Sequence, residues 1–129
     1  MNYIFEVNLK VRDYECDMQG IVNNAVYLSY LEHARHEYFA SKGISFKEMI
    51  DRDIIAMVSR IEIDFKSSLR SAEAFTVGLN VARHYAQIIF YQDIFTADGK
   101  QKCVSARVEL ACKVNGKLTR CELLDRLVG

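Results

Sequence analysis

Three carboxylates fall within five residues, at Asp13, Glu15 and Asp17, and Gly20, Asn23 and Asn24 follow them directly. An ionised carboxylate can attack a carbonyl or take a proton from water. Asn23 and Asn24 are both good N-caps, because an Asn side-chain oxygen can accept an orphan amide of a first helical turn. A helix start also carries unpaired N–H groups and partial positive charge, which would stabilise a carboxylate or a developing oxyanion. Acid and amides side by side point to chemistry at a carbonyl. The plainer alternative is that Asp17 is a loop or capping acid, with Asp13 and Glu15 solvated or structural.

The elements that would position these groups can be read from periodicity. Phe5, Val7, Leu9 and Val11 alternate with polar residues, which predicts a strand with one wet face. Positions 13–23 lose periodicity and contain Gly20, which predicts a loop. Tyr27, Tyr30, Leu31, Ala34 and Tyr38 then recur at helical spacing, with Val26, Leu28 and Phe39 widening the apolar surface, so a long and largely buried helix is expected. Gly43 suits its end. Ser45 and Glu48 have capping-box spacing and open a short second helix to about Ile50.

Strands follow. Ile61, Ile63 and Phe65 alternate with charged residues, and Phe75, Val77, Leu79 and Val81 form the next alternation. Positions 85–96 are apolar on both faces, which predicts a central strand. Asp98-Gly99 is a turn signal before the alternation Val104 to Cys112. Asn115-Gly116 predicts a hairpin returning Lys117 to Cys121, and Glu122 to Val128 a short terminal helix. Links this short imply antiparallel neighbours. The economical arrangement is α+β, one sheet wrapped around one apolar helix in a single domain over residues 1–129.

Composition narrows the function. Seventeen basic residues balance seventeen acidic ones, so the basic excess of a nucleic-acid binder is missing. The four cysteines (Cys16, Cys103, Cys112 and Cys121) form no C-x-x-C pair, which favours reduced thiols over zinc or redox sites. The first residues alternate instead of forming an apolar leader, and no apolar run is long enough for a membrane span, so a cytoplasmic location is expected. His33 and His36 are flanked by Glu32 and Glu37 but lack H-E-x-x-H spacing and a third ligand. Salt-bridged helix residues are the expectation, with no metal and no cofactor. Cys16 has no histidine near it in sequence to activate it. Arg60, Lys66, Arg70 and Arg83 read as a solvated face, or as cations for the phosphates of a ligand.

The run from Val11 to Arg35, V-R-D-Y-E-C-D-M-Q-G-I-V-N-N-A-V-Y-L-S-Y-L-E-H-A-R, closely resembles the opening of hotdog-fold acyl-CoA thioesterases of the 4-hydroxybenzoyl-CoA thioesterase type. The shared pattern is D-x-x-G-x-V-N-N-x-x-Y-x-x-Y-x-E, over about a fifth of the chain. The resemblance implies a hotdog fold and an acyl-CoA substrate hydrolysed to free acid and CoA. It implies subunits paired edge to edge as a homodimer or homotetramer, with the substrate at their interface. The family's catalytic carboxylate falls on Asp17, and the amide that polarises the thioester carbonyl falls near Asn24. Gly20 would let the loop turn beside the substrate, Asn23 would contribute through its backbone, Tyr27 would line the pocket, and Arg60 is a candidate for CoA phosphates. Asn24 stands where some branches carry histidine or tyrosine.

Three other functions compete. Hotdog dehydratases use a catalytic histidine in this region, in one branch within H-x-x-x-P-x-x-P, whereas this loop has no histidine and the chain has no proline. A non-catalytic acyl-CoA sensor would usually need an attached regulatory segment. A thioesterase for acyl-carrier protein shares the chemistry and differs only in its partner's surface.

Overall fold

The structure is a computed structural model of the chain, and it describes residues 2–128. Strand β1 (Phe5–Lys10) leads through a single 3-10 turn (Asp13–Glu15) to helix α1 (Asn24–Ser41) and the short helix α2 (Phe46–Asp51). Then come β2 (Ile54–Phe65), β3 (Ala74–His84), β4 (Gln87–Thr96), β5 (Lys102–Val114), β6 (Lys117–Leu118) and a terminal 3-10 turn (Leu123–Leu127). The sheet runs β1-β3-β4-β5-β2, antiparallel throughout, with β6 paired to β5. This is the expected sheet curled around a long helix.

Turn chemistry fixes the hairpins. Asn115 and Gly116 both have positive φ, at 51° and 81°, as a tight two-residue hairpin requires. The returning strand is shorter than the expected Lys117 to Cys121, because pairing stops after Leu118. Tyr85 does not belong to the central strand either. Its φ of 57° cannot be held in a strand, so Tyr85 and Ala86 make the turn and β4 begins at Gln87. The C-terminal segment forms a 3-10 turn, and it stays put because it is anchored: the Tyr38 hydroxyl donates to the Leu127 carbonyl at 2.5 Å. Leu123, Leu124 and Leu127 are buried there.

Helix α1 is buried on one side only. Tyr27, Tyr30, Leu31, Ala34, Arg35, Tyr38 and Phe39 form the buried stripe against the sheet, and the residues between them are exposed or partly so. This corrects the expectation of a helix buried around most of its surface. The extra apolar residue that suggested it, Leu28, faces outward at 41 % exposure. On the buried side Tyr30 packs on Phe75 with ring centres 4.6 Å apart, and Phe39 stacks on Phe90 at 6.2 Å. Burying one such side chain stabilises the fold by about 1.5–3 kcal/mol. The inward rows of β3, β4 and β5 meet this stripe with Phe75, Val77, Leu79, Phe90, Ile94, Val104 and Val108.

Strand β2 begins seven residues earlier than the alternation from Ile61 suggests. Ile54, Ala56 and Val58 pair with Cys112 and its neighbours on the inward row of β5. A bulge at Ser59 then shifts the parity, so that Ile61, Ile63 and Phe65 continue on the same face. The two halves have opposite numbering parity but one common face. A single alternation across the whole segment therefore could not be seen.

Candidate active site

The loop carrying the acids is locked by hydrogen bonds. Glu15 accepts from the Arg12 amide at 2.8 Å and from the Tyr30 hydroxyl at 2.8 Å, so it fastens the loop to the core face of α1. Burial first, and then Glu15, push the Tyr30 phenol up, and it remains the donor in that bond. Cys16 and Val22 form an antiparallel bridge, and the Asp17 amide donates to the Ile21 carbonyl at 2.9 Å. Inside this bridge the chain turns tightly. Gly20 donates its N–H to the Asp17 carbonyl at 3.0 Å, and its φ of 79° is the left-handed conformation that favours glycine. A side chain at Gly20 would meet nothing within 4 Å, so its requirement there is conformational and not one of space.

Asp17 sits at the base of this turn. Its Oδ1 accepts from the Gln19 amide at 2.8 Å, an Asx-turn contact, and the residue is exposed in the single chain. Asn23 is the N-cap, with Oδ1 accepting from the Ala25 amide at 2.9 Å. Asn24 is the first helical residue. Its N–H has no acceptor among the described residues, as expected for an amide of a first turn. The Cys16–Val22 bridge thus ties the turn that carries the Asp17 carboxylate to the chain that enters the 18-residue helix. Such an arrangement can hold an acid beside a carbonyl whose oxygen is drawn to the helix start.

The remaining candidates divide. Tyr27 is only 2 % exposed, and its hydroxyl accepts the Leu69 amide at 2.9 Å. In the single chain the ring is core, and the hydroxyl holds the 66–70 segment against the helix start. Arg60 lies on the outward face of β2, with Glu62 at 2.8 Å and Glu109 at 3.9 Å. Within one chain it is not brought to Asp17. Burial first, and then the carboxylates of Asp17, Glu15 and Asp13, push the Cys16 thiol up, which keeps it a poor nucleophile. His33 pairs with Glu37 at 3.7 Å, and His36 packs edge-on against Phe46.

Sequence reading missed the residues that support the loop from elsewhere in the chain. Val22 donates to the Leu69 carbonyl at 2.9 Å, and Ile21 bridges to Arg70. The Glu15–Tyr30 bond joins residues fifteen apart. No local pattern announces either contact, because both depend on how the 66–70 segment and α1 pack.

Known proteins resemble this chain in sequence and in fold. The chain is 38% identical over 108 residues to the acyl-acyl carrier protein thioesterase ATL3, chloroplastic, of Arabidopsis thaliana, covering 83% of this chain and 57% of that protein. It thus spans little more than half the length of that relative. A hypothetical protein of Aquifex aeolicus superposes with a TM-score of 0.87 at 28% identity, covering 95% of this chain and 98% of the other. A DHNA-CoA thioesterase from Staphylococcus aureus superposes with a TM-score of 0.81 at 25% identity, covering 94% and 80%. Among the described residues no helix is long and apolar enough to cross a membrane. The model of the thioesterase-like superfamily matches residues 11–126, from the end of β1 to the terminal turn. With the curled antiparallel sheet and its long helix, this chain belongs to the thioesterase-like superfamily and has the hotdog fold.

Proposed function

We propose that the chain hydrolyses an acyl thioester, with Asp17 as the reacting carboxylate and the Asn24 amide drawing the carbonyl oxygen. The observation that carries this reading is the locked loop. The Cys16–Val22 bridge ties the turn that carries Asp17 to the chain just before α1, and the Asn24 amide that opens α1 has no acceptor among the described residues. Attack of Asp17 on the carbonyl carbon would release a thiolate and leave a mixed anhydride for water to open. Alternatively, Asp17 would take a proton from water as that water attacks. In both routes the oxyanion forms towards the helix start, and a single donor of this kind contributes about 3 kcal/mol to transition-state stabilisation in other enzymes. Gly20 acts through its backbone by shaping the turn, and Asn23 acts through its side-chain oxygen by capping the helix.

Asp17 is exposed in one chain, so the reading also needs a cover. We assign that role to a second copy paired along the β2 edge, which would enclose the acid and the substrate between subunits. Ile55, Val58 and Phe65 leave apolar surface on that strand, as an edge awaiting a partner would. Acyl-CoA is the first substrate class. The 38% identity to an acyl-carrier-protein thioesterase supports an acyl-carrier protein as the second. Arg60 is the candidate for phosphates of either carrier.

Asp17→Asn is the direct test. Asn retains an oxygen for the Gln19 amide, so the turn should survive while the charge is lost. Thiol release from acyl-CoA and acyl-carrier-protein panels should fall on the order of 10³-fold or more, with unchanged thermal unfolding. Near-native turnover in the variant would remove Asp17 from the mechanism. Saturable binding without turnover of any thioester by the unaltered chain would make it a binding protein instead.

A further inference from the structure

The β5–β6 hairpin folds Cys121 back towards Cys112. Asn115 and Gly116 make the turn, Lys113 pairs with Leu118, and the Thr119 amide donates to the Cys112 carbonyl at 3.0 Å. Beyond Thr119 the chain leaves the ladder and enters the core, where Cys112 and Cys121 are each only 4 % exposed. Their thiols are hydrogen-bonded to each other. Val114 pairs with Ile54 on one edge of β5 and with Lys117 on the other, so β6 lies across β5 from the proposed subunit edge.

A disulfide needs its sulfurs about 2.05 Å apart and its Cβ atoms facing each other. Two thiols already in hydrogen-bond contact are a small movement from that geometry. Cys121 can make the movement, because it lies in an irregular segment and not in a ladder. Cys103 does not compete for Cys112: both lie in β5, nine residues apart and so about 30 Å distant at 3.3 Å per residue. The segment that such a bond would tie to β5 carries Leu123, Leu124 and Leu127 into the core. It is otherwise held by the Tyr38–Leu127 hydrogen bond and by the ion pairs of Asp125 with Arg83 and Arg120.

We propose that Cys112 and Cys121 are a reversible oxidation site, which closes to an internal disulfide on reaction with a low-molecular-weight disulfide such as oxidised glutathione. Cys121 lines a surface groove of about 290 Å³ with Arg52, Thr119 and Leu123, so its sulfur is met first. Its thiolate attacks one sulfur of the small disulfide, and the other leaves as a thiolate. The Cys112 thiolate then attacks the Cys121 sulfur and expels the second small thiolate. The two protons of the protein thiols pass to the two released thiolates, so two cysteines are oxidised while one small disulfide is reduced to two thiols. Burial first, and then Cys121, hold the Cys112 thiol protonated in the reduced chain, with the Arg83 guanidinium opposing. In the mixed disulfide Cys121 no longer opposes the Cys112 thiolate, and the reacting sulfurs are already neighbours, which favours closure.

Incubating the folded full chain with oxidised glutathione, quenching with acid and mapping peptides by mass spectrometry reads the site directly. A bond between Cys112 and Cys121 is expected, with two hydrogens lost from the intact mass, and excess dithiothreitol should restore the reduced mass. Cys121→Ala should abolish the internal bond, whereas Cys112→Ala should stop at a glutathione adduct on Cys121. The mapping needs no variant, so it stands even where an alanine variant fails to fold. The closed chain should unfold about 5–10 °C above the reduced one, because the bond restricts the unfolded chain. The inference is overturned if the folded chain keeps both thiols under oxidised glutathione, or if adducts on Cys121 accumulate without closure. It is equally overturned if the bond joins other cysteines, forms only in urea, or lowers the unfolding temperature. None of these readouts depends on thioester hydrolysis.

Discussion

Strands β4 and β2 lie on either side of β5, and both are largely apolar, yet they end in different environments. In β4, Ile88, Ile89, Phe90, Gln92 and Ile94 are all buried. Of β2 only Ile54 is buried, while Ile55 is 50 % and Phe65 48 % exposed. The difference lies in position and not in composition. A central strand has neighbours on both edges, whereas β2 keeps one row of amides and carbonyls, and much apolar surface, open. Phe65, at the far end of β2, packs against Tyr27 with ring centres 5.7 Å apart, so the open edge reaches the start of α1. The strand that lacks a partner and the acid that lacks a cover lie towards the same end of the molecule, which is what supports an interface there.

The sharpest way to break this comparison is to remove one residue from each strand. Deleting Tyr91 from β4 flips half of its inward row to the outside and should leave no cooperatively folded protein. Deleting Ser59 from β2 removes only the bulge and leaves Ile54, Ala56, Val58, Ile61, Ile63 and Phe65 on one face. That chain should fold with a loss of at most about 2 kcal/mol in urea unfolding. Equal damage from the two deletions would show that β2 is not a tolerant edge.

Next in size is the double substitution Val58→Lys with Ile61→Lys. On the proposed pairing it should split the assembly in light scattering and lower kcat/KM at least tenfold, with monomer unfolding changed by only about 1 kcal/mol. An unchanged assembly would move the interface elsewhere. Smaller still is Tyr30→Phe, which leaves Glu15 without its buried donor. It should cost about 1 kcal/mol in urea unfolding and loosen the loop, read as faster exchange of the Asn23 amide that donates to the Glu15 carbonyl at 3.1 Å. The smallest effect is expected at Ala72, whose φ of 66° strains any residue with a side chain. Ala72→Gly should raise stability by about 1 kcal/mol, and a loss would mean that the Cβ has a packing role there.

The thiols add a test of the core that the strands surround. Burial first, and then neighbouring Cys121, push the Cys112 thiol up to about 12. It should therefore resist alkylation at pH 8 in the folded chain and react readily in urea, as read by mass spectrometry.

Local pattern reaches a definite distance in this molecule. Asn23 capping α1, Ser45 accepting the Glu48 amide, and the Asn115-Gly116 turn were all legible, because each is satisfied within a few residues. The loop with Asp17, Gly20, Asn23 and Asn24 was legible for the same reason, and its role in catalysis awaits the substitution proposed above. The first half of β2 was not legible, because a bulge is recognised only against its partner strand. Nor was the partner of the Tyr27 hydroxyl, because it is an amide forty-two positions away.

The order of the elements, the caps and turns that end them, and an acid-rich loop beside a helix start are written in the chain itself, where interactions span a few residues. Which face of α1 is covered, which strand becomes the open edge, and that Arg35 meets Gln92 were settled only by packing. Those outcomes depend on contacts between residues far apart in sequence, and periodicity along the chain carries no record of what lies across from it.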